Sequence, residues 1–195
     1  MLAALASALL FVVALEPAPL ERLGTHVILE VHRSPFDVLN SSSTVQQAMR
    51  AAVSAGSLTA ISENFHSFPV MGVSGLMLLS ESHLSVHTWP QRGYAAVDLF
   101  SCGPPSPLPC APNSPVTFAG ADTGWRCDSG AAAPGAGPLW RAVEALLTEL
   151  QADGARLTWI ERGPPAAAAK AKAGGGGGFG WLGGLERDHE ENVEL

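Results

Sequence analysis

The chain has 195 residues, 47% of them hydrophobic and 15% charged, with a net charge of −7 at pH 7. That length holds one domain with a core able to stand without staples. The composition excludes a disordered chain, and the acidic balance argues against a nucleic-acid surface while being compatible with a cationic ligand.

The chain opens with MLAALASALLFVVAL, an apolar run of signal-peptide length and too short for an ordinary membrane span. It has no Lys or Arg ahead of it and no clear small-x-small cleavage site behind it. Residues 1–20 therefore read as a hydrophobic extension or a targeting segment, with membrane contact expected only through residues 1–15. A cytoplasmic location is the expectation, with secretory or organellar targeting left open by this segment.

HVILEV, residues 26–31, is a strand by its β-branched content. Ser43 precedes TVQQAMRAAVSAG, with Gln46 in the capping-box position and Gly56 as a stop signal. Val45, Met49 and Ala52 share one face, which predicts an amphipathic helix over 44–55. A strand is expected over 57–65, and both GVSGLMLLS and LSVHTW read as strands. PQRG then turns the chain into a strand over 94–102, completing a hairpin.

Residues 104–138 are crowded with Pro, Gly, Ala and Ser without periodicity, which predicts a long loop or insertion. Helical spacing resumes with Pro138 at the start, Val143, Leu146, Leu147 and Leu150 on one face, and Gly154 as the stop. A last strand follows over 155–161. Residues 163–195 are low in complexity and read as a disordered tail, whose glycine run lacks the Lys-Ser/Thr of a phosphate loop. The expected architecture is an α+β domain over 24–162, a mostly antiparallel sheet with helices on one face.

The three cysteines, Cys102, Cys110 and Cys127, are odd in number and form no C-x-x-C pair, so no metal site is expected. Cys110 and Cys127 could pair in an oxidising compartment, but three unrelated thiols is the preferred expectation. No dinucleotide fingerprint follows a predicted strand, the G-x-G-x-x-G spacing falling only within the low-complexity glycine run, and Walker, HExxH and G-x-S-x-G patterns are absent. What stands out is ESHLSVHTWP, residues 81–90, directly after the apolar GLMLLS. An acid, three hydroxyls and two imidazoles at the end of a core strand each lose hydration on burial, so a chance cluster is a poor account of them. Ser82, with Glu81 before it, His87 five residues on and Cys102 twenty on, matches nucleophilic catalysis. On one straight strand Ser82 and His87 would point to opposite sides. Either the chain bends between them, or the imidazole serves a serine of a second copy.

The run GVSGLMLLSESHLSVHTWPQRGYAAVDLFSCG, residues 72–103, resembles the bacterial-type S-adenosylmethionine decarboxylase proenzymes. GTHVILEV, FHSF and the late TWIERG are similar to that family too, so the resemblance spans about 24–103 and 139–163. It implies a self-cleaving, pyruvoyl-dependent enzyme that makes the aminopropyl donor for spermidine synthesis, with no metal and no pyridoxal phosphate. Cleavage would fall between Glu81 and Ser82, and Ser82 would become the pyruvoyl group, whose ketone takes the substrate amine as a Schiff base.

By the same resemblance Ser74 assists processing and His87 takes part in the elimination, a role an imidazole can fill near neutrality. Cys102 would reprotonate the product carbon, and Phe68 would stack on the adenine. Protomers are implied to pair in a dimer as an αββα sandwich, with each site drawn from both. Where the family has Glu after His-Thr-Trp-Pro, this chain has Gln91, which would face the ribose hydroxyls with no charge. That departure keeps ornithine or arginine open as the substrate of a decarboxylase on the same scaffold, and a non-catalytic homologue is the reading from another class. Phe65 and Trp89 are expected to be core or wall residues, His83 local structure, and His26, His32 and His66 chemically idle.

Overall fold

The structure is a computed structural model that describes residues 21–103, 108–120, 124–129, 133 and 135–164. The extension over 1–20 and the tail beyond 164 lie outside the described residues. In chain order the elements are β1 (Gly24–His32), α1 (Phe36–Asn40), α2 (Ser42–Ala55), β2 (Ala60–Ser67), β3 (Val73–Leu79) and β4 (Ser82–Trp89). A single 3₁₀ turn, Pro90–Arg92, leads to β5 (Tyr94–Cys102), β6 (Val116–Phe118), β7 (Trp125–Cys127), α3 (Pro138–Glu149) and β8 (Gly154–Arg162). The strands make one antiparallel sheet in the order β2-β3-β4-β5-β1-β8-β6-β7.

Alternation decides which side of that sheet is dry. Val27, Leu29 and Val31 of β1, Leu84 and Val86 of β4, and Val97 and Leu99 of β5 are all buried. Val45, Met49 and Ala52 of α2 and Val143, Leu146 and Leu147 of α3 join the same core. Full burial of each Val, Leu or Met is worth about 1.5–3 kcal/mol, so this one interface carries most of the fold. The opposite face has no helix over it among the described residues: Leu76 and Leu78 remain 49% and 48% exposed. The expected α+β sheet with helices on one face is what the chain forms.

Several local expectations need correction. The cap of α2 is Ser41, whose hydroxyl accepts the Thr44 N–H at 3.2 Å, so the helix starts at Ser42 and Ser43 lies inside it. Gln46 is not in a capping box, because its amide donates to Glu63 of β2 at 2.7 Å. Arg50 also binds Glu63 and holds that carboxyl below the ordinary carboxylate range. The second strand runs later than expected, Ala60–Ser67. Helix α1 was not anticipated: it is short, and tertiary bonds hold it. Asn40 accepts the Gly72 N–H at 2.9 Å, and the Thr88 hydroxyl, buried on β4, donates to the Leu39 carbonyl at 2.9 Å while accepting the Val73 N–H at 2.7 Å. These bonds tie the β2–β3 turn, which follows Phe68, to the body of the domain.

Two glycines answer to geometry. Gly75 lies opposite Phe65 in the β2–β3 register, and a Cβ there would collide with that ring. Phe65 packs against the core, as expected of it. Gly93 closes the 3₁₀ turn at φ 58°, a left-handed conformation that costs glycine little.

The Pro/Gly-rich stretch is not simply a loop. Its described part adds β6 and β7 to the sheet beyond β8, with Val116 opposite Leu157. Cys110 and Cys127 form a disulfide, which overturns the expectation of three unrelated thiols; Cys102 alone is free among the described cysteines. Trp125 packs against Trp140 of α3 at 4.9 Å, and the Trp159 indole donates to the Pro109 carbonyl at 3.1 Å. Lack of periodicity misled because strands of three residues are too short to show any. Closing a loop of 17 residues is worth about 3 kcal/mol on the chain-entropy account. Cys127→Ser should therefore lower the urea-unfolding free energy by about that amount in oxidising buffer, and the difference from wild type should vanish when both are measured under reductant.

Candidate functional site

The hairpin between β3 and β4 has a two-residue loop, Ser80 and Glu81, with Leu79 paired to Ser82. Such loops usually adopt primed turns with positive φ at their central residues, supplied by Gly, Asn or Asp. Neither loop residue here has a positive φ; the reversed backbone falls instead on Ser82, at φ 150°. For a residue with a Cβ that region is sparsely populated, and holding it there costs about 1–3 kcal/mol. The strain sits on one side of the Glu81–Ser82 peptide bond.

Three polar contacts converge on that bond. The Glu81 carbonyl oxygen accepts the Cys102 backbone N–H at 2.7 Å. The Ser82 hydroxyl lies 3.1 Å from Nδ1 of His83. The Glu81 carboxylate accepts the Thr59 N–H at 3.0 Å, which anchors the loop to the start of β2. A hydroxyl beside an imidazole, a neighbouring carbonyl already held by an N–H donor, and a strained bond together suit an acyl shift from nitrogen to oxygen. The sequence offered no signal for the Cys102 amide contact, which follows from Ser82 pairing with Ser101 across β4–β5.

A second group forms at the far end of the same strands. Ser74 and His87 are register partners on β3 and β4, with the serine hydroxyl 2.7 Å from Nδ1 of the imidazole. Phe68, just beyond β2, is 48% exposed and meets His66 edge-on at 4.9 Å. Gln91 is exposed in the 3₁₀ turn. Phe68, Ser74, His87 and Gln91 line one cleft of about 260 Å³, together with Met71 and Trp89. Trp89, 39% exposed, is thus a wall residue, and it packs on Tyr94 at 5.3 Å. Burial, then the Glu30 carboxylate that accepts its hydroxyl, pushes Tyr94 up to about 12, so it remains a protonated donor beside the cleft.

The two groups do not meet within one chain. Strand β4 is paired without interruption to β3 from Ser82 to His87 and to β5 from Ser82 to Trp89. Five residues of extended strand separate Ser82 from His87 by roughly 16 Å. The strand does not bend between the two residues, and the parity that set them on opposite sides is broken at Ser82 itself, where the backbone is reversed. Ser82, His83 and Cys102 gather at one end; Phe68, Ser74, His87 and Gln91 gather at the other. His26 and His32 have partners the sequence did not reveal: His26 binds Asp98 at 3.1 Å, and His32 stacks on Tyr94. Among the described residues no group of three or more His, Cys, Asp or Glu side chains could hold a metal, and no helix is long and apolar enough to cross a membrane.

A family model described as S-adenosylmethionine decarboxylase matches residues 25–113. The S-adenosylmethionine decarboxylase proenzyme of Carboxydothermus hydrogenoformans is 53% identical over 83 residues, 42% of this chain and 64% of that protein. Its counterpart from Pelotomaculum thermopropionicum is 47% identical over 85 residues, 43% of this chain and 67% of that protein. In the first of the curated relatives, from Thermosipho africanus, the matched part of the chain spans 65% of the protein's length. The crystal structure of the adenosylmethionine decarboxylase from Aquifex aeolicus superposes with a TM-score of 0.54 at 25% identity, covering 73% of this chain and 92% of that one. With 47% identity to a relative of which it covers 67%, and a fold that superposes on a solved adenosylmethionine decarboxylase, this chain belongs to the S-adenosylmethionine decarboxylase family.

Proposed function

We propose that the protein cuts itself between Glu81 and Ser82 and then decarboxylates S-adenosylmethionine for spermidine synthesis, using a pyruvoyl group made from Ser82. The observation that carries this reading is the scissile bond itself. Ser82 is held at φ 150°, its hydroxyl touches an imidazole, and the Glu81 carbonyl oxygen already accepts an N–H at 2.7 Å. As Ser82 Oγ attacks the Glu81 carbonyl carbon, negative charge gathers on that oxygen, and the Cys102 amide is aimed at it. The C–N bond then breaks, leaving an ester and a free amine and relaxing the strained backbone. Loss of the Ser82 Cα proton breaks the Cβ–Oγ bond and expels the main-chain carboxylate of Glu81; the dehydroalanine left behind shifts to an imine, which water hydrolyses to the ketone with release of ammonia.

The residues present fit such a group: Ser82 supplies its three carbons, and Cys102 stands on the neighbouring strand. The pyruvoyl group supplies an electron-accepting carbonyl for the substrate amine. Cys102, exposed at the end of β5, delivers a proton to the product carbon after carbon dioxide leaves. Phe68 stacks on the adenine, Gln91 meets the ribose hydroxyls, and Ser74 holds His87 by Nδ1.

A complete site needs two chains. Residues roughly 16 Å apart on a straight strand cannot serve one substrate carbon. A two-fold axis that lays the uncovered face of one sheet on that of another turns the two strand ends toward each other. It also buries Leu76 and Leu78, now half exposed. The assembly is a homodimer of processed protomers with an αββα arrangement of layers.

Three outcomes test the reading. Purified wild type should separate under denaturing, reducing conditions into fragments ending at Glu81 and beginning at residue 82, the latter blocked to Edman chemistry. Ser82→Ala should remain one chain; a wild-type chain that stays whole through ageing removes the pyruvoyl assignment. Cys102→Ser keeps the amide and so should still be cut, while kcat falls by about 100-fold or more; failure to process would put the thiol in the wrong step. Gln91→Glu should lower KM for S-adenosylmethionine about tenfold at similar kcat, because a carboxylate makes charge-assisted bonds to ribose hydroxyls worth about 1.4 kcal/mol more. An unchanged KM, with faster turnover of ornithine or arginine than of S-adenosylmethionine, would replace the substrate.

A further inference from the structure

We infer that His83 is the general base that takes the Ser82 hydroxyl proton during self-cleavage, a step distinct from the elimination assigned to His87. The inference rests on the self-cleavage reading above and assigns one residue within it.

Only 3.1 Å separate Nδ1 of His83 from the Ser82 hydroxyl, within the reach a proton transfer requires. His87 of the same chain is five strand residues away, and its Nδ1 is already bonded to Ser74. The contact depends on the unusual backbone of Ser82. Along β4, Leu84, Val86 and Thr88 are buried on the helix side, so parity alone would send Ser82 there too and His83 to the open face. The reversed φ of Ser82 breaks that alternation and brings the hydroxyl to its neighbour's imidazole.

His83 is also held in place from both sides. It lies between Leu78 of β3 and Phe100 of β5 in the register, and it meets the Phe100 ring edge-on at 6.0 Å. With its proton on Nε2, the imidazole offers Nδ1 as a free acceptor. Nδ1 accepts the proton from Oγ as the new C–O bond forms. It returns that proton to the Ser82 nitrogen as the C–N bond breaks. Amide and alcohol become ester and amine, with no proton gained or lost and no co-reactant needed. The Cys102 amide carries the transient negative charge on the Glu81 oxygen. Base, nucleophile and oxyanion donor thus belong to a single chain and to two adjacent strands, whereas decarboxylation needs the cleft at the other strand end.

The test follows cleavage of full-length chain made by pulse-labelled cell-free synthesis, in wild type, His83→Ala, His83→Gln and His87→Ala. Hydroxylamine cuts an ester at this position but not an amide, so it reports whether the acyl shift has occurred. Cleavage should slow by about 100-fold or more in both His83 variants. Neither should give a hydroxylamine product above background, and added imidazole should speed the cutting of His83→Ala. His87→Ala should accumulate the ester and yield to hydroxylamine. Thermal melts of the uncut chains control for folding, since His83→Gln keeps a hydrogen-bonding side chain but cannot take the proton. Wild-type rates in either His83 variant, or a trapped ester in His83→Ala equal to that in His87→Ala, would overturn the assignment. So would loss of the cooperative melt in both, which would make His83 structural. If wild type itself is never cut, the decarboxylase reading falls and this step with it; if wild type is cut, only the role of His83 is at stake.

Discussion

Strand β4 is hydrogen-bonded to a neighbour on each side along almost its whole length, and that rigidity governs the chemistry open to the molecule. A doubly paired strand cannot fold its two ends together without breaking both ladders. Ser82 and His87 are therefore fixed apart, one at each end, on a sheet face that no helix among the described residues covers. The packing on the other side enforces this. Leu84, Val86 and Thr88 are locked against α2, α3 and α1, so a slip of one residue would bury the imidazoles and expose the core. The same constraint that makes the fold stable divides the residues of the proposed reaction between two ends. In the proposed dimer, pairing of two such faces would bring them within reach of one substrate.

The β3–β4 loop is the place where the sheet's regularity is given up. A primed turn with Gly or Asn would close this hairpin at little cost. Ser80 and Glu81 do not take that conformation, and the reversal passes to Ser82. Strain at a single residue is tolerated because the surroundings over-determine it: the Thr59 N–H holds the Glu81 carboxylate, the Cys102 N–H holds its carbonyl, and two ladders hold Ser82. A loop that was merely structural would have no use for these extra bonds.

Strands β1, β3, β4 and β5 were legible because alternating burial writes itself into residue type, as in VILEV and AAVDLF, whereas β2, mostly exposed, carries no such pattern and runs later than expected. Helix α3 was legible for the same reason at a different period. What escaped reading was set by distant parts of the chain. Helix α1 is one turn and exists through Thr88 and Asn40; β6 and β7 depend on β8 and on the Cys110–Cys127 link. Ser43 was the expected start signal for α2, but Ser41 caps it, and residue type alone does not separate successive serines. For the site, the motif named Ser82, His87, Cys102 and Ser74, and the Ser74–His87 contact follows from their register. The partners of the scissile bond did not, because they depend on one backbone angle. His83 looked like scaffolding for that reason.

The position of the scissile bond also bears on how the molecule survives heat or denaturant. An intact hairpin keeps β3 and β4 joined by two residues, so their pairing re-forms as a local event after unfolding. A cut there would leave the halves held by non-covalent contacts alone, the ladders, the shared core and side-chain bonds such as Thr88 to Leu39, with β1 to β3 and both early helices on one fragment and β4 to β8 with α3 on the other. Once such fragments part, reassembly becomes a meeting of two molecules, slower at low concentration and exposed to aggregation of bare apolar strands. A processed molecule would then persist through slow unfolding and not through easy refolding, so that its lifetime is set by a barrier and not by an equilibrium.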